Sequence, residues 1–132
     1  MRILLDSTAY SQLGRGHPAV ADIVRRSQEV VMSAVVVGEL LYGYRHGAQT
    51  ARDIRELESF LANPHVTFAP VSRITADRYA RIAAAQRAKG RPLPTNDLWI
   101  AAHAMETGTD LVTSDGHFEH IDGLACVHVP VE

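Results

Sequence analysis

The chain has one cysteine, Cys126, and one lysine, Lys89. A lone thiol forms no intramolecular disulfide, which fits a reducing compartment; a small apolar residue in the last strand accounts for it. No apolar run approaches the roughly 20 residues that span a bilayer. A strand and an acid follow Met1 almost at once, so no signal peptide is expected, and the location implied is cytoplasmic, away from membranes. Positive charge is not in excess: the net charge is −2. A polyanionic substrate would therefore need a local basic surface. Internal repeats, low-complexity tracts and linkers are lacking too. What remains is 132 residues, 46% apolar and 21% charged, which predicts one domain with a real hydrophobic core.

Short apolar runs alternate with amphipathic stretches. Ile3-Leu4-Leu5, Val30-Val31-Met32, Val66 to Ala69, Leu111-Val112-Thr113 and Ala125 to Val129 read as five strands. Between them, helices are expected over about 18–26, opened by Pro18, and from Ser33 as cap to about Arg45. Another covers about 50–62, with Ile54, Leu57 and Leu61 inward and Arg52 paired to Glu56. The next covers about 75–89, burying Tyr79, Ile82, Ala83 and Gln86 and ending at Gly90. The last is capped by Thr95 or Asn96, carries Trp99 and Ile100 and stops at Gly108. Residues 8–13 form a turn or short helix. This alternation predicts an α/β domain with a mainly parallel five-stranded sheet flanked by helices.

Asp6 and Asp115 each close an apolar strand beside hydroxyl residues: Ser7 and Thr8, Thr113 and Ser114. An aspartate alone at such a place is an ordinary turn residue. Two of them, on strands that are neighbours in a parallel sheet, would meet at the carboxyl edge where ligands bind. Glu39 sits in a helix crowded with Val35-Val36-Val37 and Leu40-Leu41, an unusual setting for a solvated glutamate. Asp97 lies in the first turn of its helix, where the macrodipole alone accounts for it by roughly 0.3–1 kcal/mol. Together, four carboxylates held close repel one another and call for a cation. All-oxygen ligation selects Mg²⁺ or Mn²⁺, the ions suited to phosphodiester hydrolysis. The basic run Arg87, Lys89 and Arg91 precedes Asp97 and is a candidate for tracking a nucleic-acid backbone, although a cationic helix end is also expected from the dipole.

Other chemistries fit less well. There is no P-loop, and Gly14-Arg15-Gly16-His17-Pro18-Ala19 lies too far beyond its strand to cradle a dinucleotide. An Asp-x-Asp phosphatase would want an acid at Thr8. A receiver domain would want a lysine after its last strand. The seven histidines allow a metal-free ribonuclease using imidazole acid and base, but they are scattered. His117-x-x-His120 with Cys126 and His128 is a loose zinc pattern, better explained by solvated turn and strand residues.

With these residues assembled, the chain resembles the PIN-domain ribonucleases, and most of all the VapC-type toxins of toxin–antitoxin pairs. The segments that carry the likeness are Ile3 to Ala9, Ser33 to Leu40, Asn96 to Ala102 and Leu111 to Phe118, in that order along nearly the whole chain. The resemblance implies a five-stranded parallel sheet and a Mg²⁺ or Mn²⁺ site of Asp6, Glu39, Asp97 and Asp115. Ser7 or Thr8 and Thr113 or Ser114 would support it by hydrogen bonds. It further implies RNA hydrolysis by metal-activated water, homodimerisation and a small VapB-type antitoxin. Two alternatives keep the same fold: a nuclease acting on RNA or DNA outside a toxin system, and a noncatalytic module that binds partners. Many relatives carry a further acid where this chain has Gly116 and His117, which implies one cation rather than two.

Overall fold

The computed structural model describes residues 1–131. In chain order the elements are β1 (Arg2–Leu5), α1 (Ser7–Gly14), α2 (Pro18–Arg26), β2 (Glu29–Ser33), α3 (Ala34–Tyr44) and α4 (Thr50–Leu61). Then come β3 (Val66–Ala69), α5 (Arg73–Ala88), α6 (Thr95–Thr107), β4 (Asp110–Thr113), a 3₁₀ turn (Gly116–His120) and β5 (Cys126–His128). The expected α/β architecture is present, and every strand pair is parallel in the order β3-β2-β1-β4-β5.

That order explains the apolar runs. β1 is the central strand, covered on both faces, and Ile3, Leu4 and Leu5 are fully buried with Leu111 and Val112 beside them. A strand with two buried faces cannot alternate, so it reads as an unbroken hydrophobic run. From β1 the chain winds outward through β2 to β3; after α6 it returns to the other side of β1 as β4 and continues to β5. The reversal between β1 and β4 is a topological switch, and their carboxyl ends diverge there into a crevice.

Helix ends follow local chemistry. Ser33 Oγ accepts from Val35 N and caps α3 as expected. α5 starts earlier than residue 75, because Ser72 and Thr75 form a reciprocal capping box. Tyr79 on α5 stacks on Trp99 of α6 with centroids 4.1 Å apart. Gly108 ends α6 with φ +66°, the left-handed conformation that favours glycine. Two expectations fail. Arg52 pairs with Asp53 instead of Glu56. The residue capping α6 is Pro94, with no side-chain bond, and Thr95 and Asn96 lie inside the first turn. Cys126 sits half-buried in β5, its thiol pushed up in pKa by that burial.

Candidate metal centre

Asp6 leaves β1 at the switch. Its main-chain N–H still bonds to Val112 O of β4 at 3.3 Å, while its carboxylate turns to cap α1, with Oδ1 accepting from Ala9 N at 2.8 Å. The side chain is nearly buried, at 7% exposure. Burial raises its pKa, opposed by Thr113 and the Ala9 N–H and reinforced by the charges of Asp115 and Glu39. Asp115 follows β4 by two residues and caps the 3₁₀ turn, with Oδ1 accepting from His117 N at 2.9 Å. Thr113 Oγ1, buried between the two acids, accepts from Asp115 N at 2.9 Å.

Asp97 reaches the same edge from the first turn of α6. Burial pushes it up to about 6; Asp115 adds to the shift, His117 opposes it, and Glu39 and Asp6 add smaller contributions. A carboxyl group that feels all three other acids places the four within one field. Glu39 comes from the middle of α3, where its Oε2 accepts from Asn96 Nδ2 at 3.0 Å. Asp97 and Asp115 thus meet at the carboxyl edge of the sheet, and Asp97 also feels the charges of Glu39 and Asp6.

The four are not equivalent. Among the described residues, the group whose donor atoms gather closely enough for one ion is Asp97, Asp115 and His117, all within 4.8 Å of one another. The imidazole spans the two acids, with Nε2 3.0 Å from Asp115 Oδ1 and Nδ1 3.6 Å from Asp97 Oδ2. Asp6 lies behind them in the core. Glu39 lines an open groove of about 420 Å³ shared with Ser7, Thr8, Ser11 and Arg15. A depression of about 260 Å³ at the amino ends of β2 and β3 has no carboxylate in its lining.

The donor set fits a divalent cation. Crowded acids, two of them (Asp6 and Asp97) with pKa values driven upward by burial and like charge, are what a bound ion relieves.

The remaining expected residues divide. Ser7 and Thr8 face the groove, and Thr113 sits between Asp6 and Asp115. Ser114 does not join them: its hydroxyl bonds to Gln12 and Pro130 O, in the same cluster where Gln12 Nε2 ties down Pro130 and Val131. Of the basic run, Lys89 is occupied by His120 O and Asp122, and Arg91 lies 3.3 Å from His120 Nε2. Arg87 is exposed in the last turn of α5. Two roles were not legible beforehand: Asn96 as partner of Glu39, and His117 between Asp97 and Asp115. The only signal for the second was the expectation, drawn from the resemblance, of an acid at or near that place.

The PIN domain family model matches residues 3–124. Ribonuclease VapC1 of Haemophilus influenzae (strain R2866) is 29% identical over 129 residues, 94% of this chain and 95% of that protein. Ribonuclease VapC5 of Mycobacterium tuberculosis is 30% identical over 100 residues, 76% of this chain and 74% of the other. The structure of VapBC-1 from nontypeable Haemophilus influenzae superposes with a TM-score of 0.85 at 26% identity, covering 97% of this chain and 98% of that one. VapBC2 from Rickettsia felis, bound to a DNA fragment from its promoter, gives the same TM-score at 22% identity over 98% and 99%. The chain thus belongs to the PIN domain family, on the side of it that holds the VapC proteins.

Proposed function

We propose that this protein is a metal-dependent endoribonuclease, the toxin of a VapBC-type pair, with residues 1–132 acting as one nuclease domain. The observation that carries the reading is the meeting of Asp97 and Asp115 at the β1–β4 switch, with Asp6 and Glu39 inside the same field. The VapC relatives are named ribonucleases, and that supports RNA as the substrate. The solved VapBC assemblies support a small VapB-type antitoxin as partner. A homodimer and a cytoplasmic setting complete the proposal; no helix among the described residues is long and apolar enough to cross a membrane.

Asp97 and Asp115 would hold one Mg²⁺ or Mn²⁺, with Asp6 and Glu39 completing the negative field. The ion, when bound, neutralises charge on the phosphate and makes a bound water a better nucleophile. Glu39 has one oxygen occupied by Asn96; the other is left to accept a proton from the attacking water and orient it. Asp6, buried and fixed by Ala9 N, adds a carboxylate at the end of β1 to the field of the pair. Thr113 fixes the main chain leading into Asp115. Arg15, exposed in the groove that Glu39 lines, supplies a cationic point for the RNA backbone, and exposed Arg87 at the end of α5 is a second candidate.

Purified chain, freed of any partner, should cut RNA in Mg²⁺ or Mn²⁺, stop in chelator and resume on metal addition. Cleavage that ignores chelator would overturn the metal-centre reading in favour of imidazole catalysis.

A further inference from the structure

His117 is one of the residues nearest the two acids, and it is not an acid. It is the second residue of the 3₁₀ turn that Asp115 caps, and its own main-chain N–H binds Asp115 Oδ1. Phe118, 2% exposed, anchors this turn in the core, and Lys89 and Arg91 hold its far end through His120. The backbone therefore carries the ring to the crevice; it is not a free surface side chain that wandered there. About half of the side chain is exposed, at 48%, so the ring is not filling the core.

The spacing suits coordination. With metal–oxygen bonds of about 2.1 Å, adjacent ligands of an octahedral ion lie about 3 Å apart and opposite ligands about 4.2 Å apart. One donor atom from each of Asp97, Asp115 and His117 already lies within 4.8 Å of the others, so a small contraction would close the set. A nitrogen in that set changes which ion is preferred. Mg²⁺ is hard, favours oxygen and gives up water reluctantly. First-row transition ions accept imidazole together with carboxylate.

We propose that His117 is a nitrogen ligand of the cation held by Asp97 and Asp115, and that it biases the site toward Mn²⁺ over Mg²⁺. This role rests on the cation site of the proposed nuclease and adds to it the choice of metal.

Mn²⁺ is its own probe. Pulsed electron paramagnetic resonance of the full chain loaded with Mn²⁺ should show modulation from a directly bound ¹⁴N nucleus. His117→Gln and His117→Asp should abolish that modulation, and both alter an exposed side chain while keeping the N–H that binds Asp115. In competition titrations, the ratio of Mn²⁺ to Mg²⁺ affinity should fall at least about tenfold in His117→Gln. His117→Asp, which restores an all-oxygen set, should still bind both ions. Mn²⁺ bound without nitrogen modulation, modulation that survives in His117→Gln, or an unchanged affinity ratio would each overturn the role of His117 and leave the nuclease standing. Failure of the unmodified chain to bind Mn²⁺ at millimolar concentration would overturn both.

Discussion

Asn96 Nδ2 donates a 3.0 Å hydrogen bond to Glu39 Oε2 and so ties the first turn of α6 to the middle of α3. The bond joins two helices far apart in sequence and fixes the one site acid that projects into open groove. Asn96→Ala should leave the fold intact, because the residue is exposed. It should slow single-turnover RNA cleavage by about tenfold, the low end of what removing an outer hydrogen-bond partner at a metal site costs. Asn96→Asp sets a carboxylate against Glu39 and should be slower still. Equal rates in all three proteins would mean that Glu39 needs no such support.

Asp97 carries a pH signature. Its folded-state pKa lies at about 6, against an ordinary 3.8, because burial and the surrounding acids disfavour its charged form. Between those values the folded chain binds more protons than the unfolded chain. The contribution of Asp97 to stability is therefore fully present below about pH 4 and is lost as pH rises through about 6. In chelator, the melting temperature of Asp97→Asn minus that of the parent should rise across this window and level off above it. Taking the difference removes opposite trends such as that of Glu29, whose pKa is lowered by Thr67 and Arg2. A flat difference would mean that Asp97 is not crowded by charge.

His103 should matter for folding and not for catalysis. Fully buried in α6, it accepts from Ser33 Oγ at 2.6 Å through Nδ1 and donates to Pro70 O at 3.1 Å through Nε2. It thereby clamps the ends of β2 and β3. His103→Leu keeps the bulk but strips the buried Ser33 hydroxyl of its partner, at about 1–3 kcal/mol, while the Pro70 carbonyl, on an exposed residue, can turn to water. Urea titration should show a loss of about 1–3 kcal/mol, and no loss would place the clamp outside the core energetics.

Much of this was legible in the chain because the signals were local. Leu4 and Val31 belong to runs that only a strand buried on both faces would carry, and Asp6 and Asp115 mark where those runs break into hydroxyl residues. The misreadings came from partners distant in sequence. Asn96 has the chemistry of a helix cap, but its amide is taken by Glu39 from α3, and Pro94 holds the cap position of α6. Ser114 has the chemistry of a site hydroxyl, but Gln12 and the carbonyl of Pro130 claim it. The 3₁₀ turn at Gly116–His120 is too short for a periodic pattern, and without it the ring of His117 could not be aimed.

The central claim is that Asp6, Glu39, Asp97 and Asp115 make one cation site. Calorimetric titration of Mn²⁺ into the metal-free parent and into Asp97→Asn tests it most directly. One ion per chain in the parent, with affinity at least about tenfold weaker in the variant, is the predicted result. Equal affinity and stoichiometry in the two proteins would contradict it.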